Sequence, residues 1–167
     1  MFSVEVLPDT TTDALMRAEW RRLLDAGLPS AGRHEGESNR PHVTLAVRER
    51  VDPATFAPLA AMLPVPLELR GVLLFGRGDR FVLTRAIVVT KQLMELHRAV
   101  AFAAGTAEAR YTNTEPDAWS PHLTLARRLH ADQVSEALRV LELPEIEITA
   151  VSLRVWDAAA KRVTMLR

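Results

Sequence analysis

Apolar and polar positions change period along this chain, and the changes mark out its elements. Residues 2–7 alternate around Glu5 and end at Pro8, which predicts a short strand. Across 11–26 the period lengthens to that of a helix. Leu15, Ala18, Leu23 and Leu24 supply its apolar stripe, Thr10, Thr11 or Thr12 its cap, and Gly27 its stop. Residues 29–41 are polar and rich in Gly, Ser, Arg and Pro, and read as a mobile loop. Residues 42–48 predict a strand, and Asp52-Pro53 opens a helix to about Met62. Pro64 to Phe75 and Phe81 to Val89 predict strands joined by a turn at 76–79. Thr90 caps a helix to about Ala104, closed by Gly105. A second polar loop fills 106–120. A strand at 122–127, a helix at 131–142 and a hairpin of 145–156 with 161–166 complete the chain.

The pattern repeats. Pro41-His42-Val43-Thr44-Leu45-Ala46 matches Pro121-His122-Leu123-Thr124-Leu125-Ala126 at an offset of 80 residues, and Pro64 matches Pro144 at the same offset. Each half reads strand, helix, loop, His-containing strand, helix, hairpin. Two similar halves imply a pseudo-twofold arrangement, with equivalent strands facing each other across a shared cleft.

Composition narrows the classes. With 167 residues, 48% of them hydrophobic, the chain suits one compact domain over 1–167. Lys plus Arg and Asp plus Glu are 21 each, so the formal net charge is zero. That balance argues against broad adsorption to long nucleic acid, but allows a local site for one or two phosphates. The chain has no cysteine, which excludes disulfides, thiolate catalysis and zinc sites built on Cys. No apolar run is long enough to span a bilayer, and the N-terminus does not read as a signal peptide. A cytoplasmic monomer is the expectation.

The repeated motif carries the chemistry. In a strand, residues i and i+2 share a face. His42 and Thr44 therefore share one face and Val43 and Leu45 the other; His122 and Thr124 are set against Leu123 and Leu125 in the same way. With the apolar residues turned to the helices, both His-Thr pairs face the cleft. Two imidazoles suit phosphodiester chemistry near neutral pH, one taking a proton from the attacking oxygen and one giving a proton to the leaving oxygen. The threonine hydroxyls can donate to non-bridging phosphate oxygens. This scheme requires neither metal nor cofactor. His34, His97 and His130 lie outside the motif and read as solvated or capping residues.

The paired H-x-T-φ motifs, His42-Val43-Thr44-Leu45 and His122-Leu123-Thr124-Leu125, resemble the two-histidine (2H) phosphoesterase superfamily. Within it they look like the bacterial 2′-5′ RNA ligase-like, or RNA 2′,3′-cyclic phosphodiesterase, branch. The resemblance covers nearly the whole chain. It implies a two-lobed α+β fold in which two mainly antiparallel sheets flank a central cleft, with helices on the outer faces. It implies hydrolysis of 2′,3′-cyclic phosphates, with 2′-5′ joining or 2′-5′ phosphodiester cleavage as the alternative. The partners implied are RNA ends or nucleotides with a cyclic phosphate or a 2′-5′ linkage. An alternative of another class is a non-catalytic RNA-end or nucleotide-binding module on the same scaffold.

The resemblance also gives Arg127, at H-x-T-φ-x-R, a role in binding phosphate. The equivalent position in the first motif is Val47. Arg48, one residue on, shares the face of His42 and Thr44 by strand parity and is a second candidate. Trp119 and Tyr111 are candidates to stack on a base at the cleft mouth; Trp119 packing its loop onto the sheet is the competing reading. Phe2 either reaches the cleft or joins the core. Arg33, Arg40 and Arg110 are loop candidates for further phosphate contacts.

Overall fold

A computed structural model describes residues 1–34 and 36–166. The elements are β1 (Phe2–Pro8), α1 (Thr10–Asp25), β2 (Val43–Arg48), β3 (Val65–Arg77), β4 (Arg80–Ile87), α2 (Lys91–Ala104), β5 (His122–Leu129), α3 (Ala131–Val140), β6 (Ile146–Asp157) and β7 (Arg162–Met165). Short 3₁₀ segments occupy Ala31–Arg33, Pro53–Met62 and Ala109–Thr114.

Three local details differ from the sequence pattern. Asp9, rather than a threonine, caps α1, its carboxylate accepting from the Thr12 amide at 2.8 Å. The buried stripe of α1 is Thr12, Met16, Glu19, Trp20 and Leu23, whereas Ala18 and Leu24 are exposed. Glu19 explains the rotation: it is buried because it is paired with Arg85, so hydropathy alone assigns it to the wrong face. Residues 53–62 form 3₁₀ rather than α-helix. Pro58 sits inside that segment, and a proline has no amide hydrogen and crowds the preceding turn of an α-helix.

All the strand pairings are antiparallel, and they join the strands into one seven-stranded sheet, where two sheets were expected. Its order is β2-β1-β6-β3-β4-β5, with β7 also paired to β6. The cause is the length of β6. Ile146–Ala150 pairs with β3, while Ser152–Asp157 pairs with β1 on the opposite edge. One long strand thus belongs to both groups and leaves no break between them.

Helix α1 packs on β1 and β5, α3 on β4 and α1, and α2 on β2 and β3. Under them lies the core, in which Val43, Leu45, Leu123 and Leu125 are all buried. Each such side chain contributes about 1.5–3 kcal/mol relative to exposure. This burial fixes the register of the motif strands. A slip of one residue would drive His and Thr into the core and expose the aliphatics.

Candidate active site

Each motif strand breaks its ladder at the same place. Between β1 and β2 the register shifts at Val4/Glu5, whose partners are Ala46 and Thr44. Between β4 and β5 it shifts at Leu83/Thr84, whose partners are Ala126 and Thr124. An extra residue in one strand reverses the facing of everything beyond it. Before the bulge, His42, Thr44 and Thr124 line the grooves, with His122 at their edge beside Phe75; after it, the odd-numbered Val47 and Arg127 line them. This is why Arg127 lines the same groove as Thr124, with Nη2 3.5 Å from the Thr124 hydroxyl. It is also why Arg48 does not serve the cleft. Strict parity fails at the bulge, and Arg48 turns to the opposite face. There it is buried, and its guanidinium donates to Gly105 O, Val47 O, the Thr114 hydroxyl and Glu115.

The histidines are held alike. His42 Nδ1 is 2.7 Å from Arg40 O, and His122 Nδ1 is 2.7 Å from Ser120 O. A carbonyl only accepts, so Nδ1 carries the proton in each ring. Nε2 is then left as the atom that gains or loses a proton, and each ring is fixed in orientation. Two tryptophans brace the carbonyl side of the same strands. Trp20, from α1, donates Nε1–H to Thr124 O at 2.9 Å, and Trp119 donates to Thr44 O at 2.9 Å.

The electrostatics of the two histidines differ. Partial burial pushes the His122 imidazole below its ordinary value; the bond to Ser120 O opposes this, while the Arg127 and His42 charges reinforce it. Near His42 lies a buried carboxylate instead. Glu5 Oε1 is 3.7 Å from His42 Nε2. Glu5 is held by the Ser3 hydroxyl at 2.5 Å and by Arg154 Nε at 2.8 Å. Arg154 also donates to Ser38 O, which ties the loop before β2 to β6.

Two grooves meet here. The first, about 530 Å³, is lined by Trp20, Ser30, Arg33, Thr124, Arg127 and Arg128. The second, about 770 Å³, is lined by Glu5, Thr44, Val47, Arg154, Trp156 and Lys161. His42, Arg127, His34 and Asn39 line both. Volumes of this order suit small ligands. Among the described residues no group of three His, Asp or Glu stands together as a metal-ion cage. No described helix is long and apolar enough to cross a membrane.

The remaining candidates fall away from the grooves. Phe2 alternates with Ser3 and Glu5, which turns it from the cleft to pack against the core. Trp119 stacks on His97 with ring centroids 3.7 Å apart and packs its loop against the core. Tyr111 donates to Glu49, and Arg110 forms an ion pair with the same carboxylate. Arg40 is paired with Asp13. His97, expected to be solvated or capping, is fully buried, with Nε2–H donating to Thr114 O. Burial lowers its affinity for a second proton. His130 caps α3 through its backbone bond to Gln133.

Sequence reasoning missed Trp20, Glu5, Arg154 and Phe75. Phe75 is partly exposed, and its ring centroid lies 4.9 Å from that of His122. A charged residue inside an apolar strand was the available signal for Glu5. Nothing local marked its partner Arg154, which is 149 residues away.

The sequence matches the family model of the 2′-5′ RNA ligase superfamily over residues 18–162. No curated protein matches. Among solved structures, Escherichia coli LigT complexed with 3′-AMP is similar, with TM-score 0.55 and 18% identity over 98% of this chain and 92% of that one. A structure described as a phosphoesterase gives TM-score 0.52 and 15% identity over 99% and 95%. Kluyveromyces marxianus Usb1 gives TM-score 0.51 and 11% identity over 99% and 96%. At these identities the likeness is one of fold.

Proposed function

The chain belongs to the 2′-5′ RNA ligase superfamily, and from that premise we propose that it is a metal-independent phosphoesterase acting on RNA-type 2′,3′-cyclic phosphates. The observation that carries the reading is the matched pair of imidazoles. Each is locked through Nδ1 onto a backbone carbonyl at 2.7 Å, which frees Nε2 for proton transfer. Two general acid–base groups beside a guanidinium are what in-line displacement at phosphorus needs.

In the proposed reaction His122 is the base. Its neighbours favour the neutral imidazole, which accepts a proton at Nε2. It takes that proton from water as the water oxygen bonds to phosphorus. The bond from phosphorus to one ribose oxygen breaks, and His42 gives its Nε2 proton to that oxygen. Glu5, 3.7 Å away, offers the His42 imidazolium a counter-charge before transfer. The Thr44 and Thr124 hydroxyls and Arg127 hold the non-bridging oxygens, where charge grows in the transition state. The relation of the motifs at 42–44 and 122–124 fits a duplicated single domain.

A 2′-5′-linked substrate is the second reading. The second groove favours it, because it offers room for a nucleoside on the far side of phosphorus. The LigT structure is complexed with 3′-AMP, a nucleoside monophosphate of the kind that opening a 2′,3′-cyclic phosphate can leave.

The test is hydrolysis of nucleoside 2′,3′-cyclic phosphates in EDTA by wild type, His42→Ala and His122→Ala. Turnover should survive EDTA and fall by orders of magnitude in both variants. Loss of activity in EDTA would overturn the metal-free mechanism. No turnover of cyclic phosphates, with cleavage of 2′-5′ diadenylate, would leave the second reading. Tight nucleotide binding with no turnover of either would make the protein a binding module.

A further inference from the structure

We propose that Arg33 and Arg128 form a subsite for a second phosphate, so that the natural ligand is a strand end or another nucleotide carrying a phosphate besides the one under attack. This rests on the reading of the histidine site given above and names its substrate class more narrowly.

The first observation is a charge imbalance between the grooves. The second groove is mixed, with Glu5 set among Arg154 and Lys161. The first groove holds Arg33, Arg127 and Arg128 and, among the described residues, no carboxylate. A cyclic phosphodiester carries a single negative charge. Arg127, at the junction of the grooves, and one imidazolium already more than match it. Arg33 and Arg128 line only the first groove and are surplus to that phosphate. Among the described residues neither has a carboxylate partner, although most other arginines near the site do, including Arg17, Arg40 and Arg154. Guanidiniums converging on one groove repel each other, and an anion bound between them removes that cost.

The second observation is backbone conformation. Consecutive strand residues point to opposite faces, yet Arg127 and Arg128 line the same groove. Arg128 achieves this at φ 63°, in the left-handed region that non-glycine residues rarely adopt. A second register shift, between Phe81 and Leu83, spans the same stretch of β5. The Arg128 carbonyl accepts from Arg80 Nη1 at 3.3 Å, which helps to hold the kink. Strained backbone that aims a side chain into a groove is a mark of ligand contact. Arg33 comes from the other wall, in the 3₁₀ turn capped by the Ser30 hydroxyl. Two guanidiniums from unrelated segments thus face one space.

The direction of the substrate follows. The phosphate-bearing remainder of the strand lies in the first groove. The second groove, with Glu5 beside His42, receives the part of the substrate that carries no further phosphate.

The test compares the Kd of adenosine 3′-phosphate with that of adenosine 3′,5′-bisphosphate by calorimetry, for wild type, Arg33→Ala, Arg128→Gly and the double variant. Glycine at 128 keeps the left-handed backbone without strain. The ratio of the two Kd values cancels any loss common to both ligands. In wild type the bisphosphate should bind about tenfold tighter. Each single variant should shrink the ratio, and the double variant should bring it close to one. A wild-type ratio near one would overturn the subsite, and so would a ratio that persists in the double variant. Catalysis is scored separately: failure to hydrolyse any cyclic phosphate would remove the proposed activity while leaving the Kd ratio readable.

Discussion

Trp119→Phe tests whether a brace outside the grooves positions Thr44 for the phosphate-holding role proposed for it. Trp119 donates to Thr44 O at 2.9 Å while its ring stacks on His97. Phenylalanine keeps an aromatic face for the stack and loses the donor. A typical net hydrogen bond contributes about 0.5–1.5 kcal/mol, and a buried carbonyl left bare costs about 1–3 kcal/mol. Thr44 and Trp119 are half-buried, so the expected loss lies near 1–2 kcal/mol. In a chain of this size each kcal/mol lowers Tm by about 2–4 °C, which predicts a fall of about 2–8 °C. The catalytic effect is distinct. Deleting a transition-state donor outright costs about 2.7–4 kcal/mol, and a displaced Thr44 should lose a fraction of that, about tenfold in kcat with KM little changed. The assay pairs a thermal melt with steady-state hydrolysis of a cyclic phosphate. Tm falling while kcat holds would show that the brace serves stability alone. An unchanged Tm would refute the bond itself. Trp20→Phe should act in the same way at Thr124, with an added KM effect because Trp20 lines the first groove.

Other outcomes follow from buried charge and proton affinity. Glu19→Leu strands the buried Arg85 guanidinium and should cost about 3–5 kcal/mol in urea unfolding; Glu19→Leu with Arg85→Met should recover much of it, and equal losses would refute the pairing. His97 is neutral when folded and its proton affinity is lowered by burial. The stability it contributes is therefore present above the unfolded value of about 6.5 and lost as pH falls through the lowered folded value. His97→Gln should flatten the decline of unfolding free energy on acidification, and an unchanged slope would exclude this role. With His122 as base and its affinity lowered, the acid limb of kcat/KM should lie below about pH 6.5; a limb at or above that value would remove His122 from the role.

The pattern of H-x-T-φ was enough to give the buried facing of Val43, Leu45, Leu123 and Leu125, because that depends on a strict two-residue period over a short run. Arg127 was reached by resemblance rather than parity, and the bulge explains the difference: its register shift lies beyond any local pattern. The same shift in β2 is why Arg48 was misassigned. Burial of polar groups was the other blind spot. Glu19, Arg85, Glu5 and Arg154 are buried through partners 66 and 149 residues away, and hydropathy counts each as a surface residue. The single sheet also escaped notice, since the sequence of β6 predicts a strand and does not say that its two ends pair with different neighbours.

A repeated motif does not by itself make a symmetric site, and here the departure lies in the residues beside the motif. Glu5 pairs across the ladder with Thr44, and at the matching place Thr84 pairs with Thr124. Beyond the bulges, Val47 stands where the second strand has Arg127. His42 thus has a carboxylate on the strand next to it and an aliphatic beyond, while His122 has the Phe75 ring beside it and a guanidinium beyond. Arg154 offsets part of the Glu5 charge but leaves Oε1 turned toward His42. An imidazole beside a cation is better suited to accept a proton from water than to arrive already charged. On the mechanism proposed above, two differences in the matched frame, Glu5 against Thr84 and Val47 against Arg127, are what give the reaction a direction.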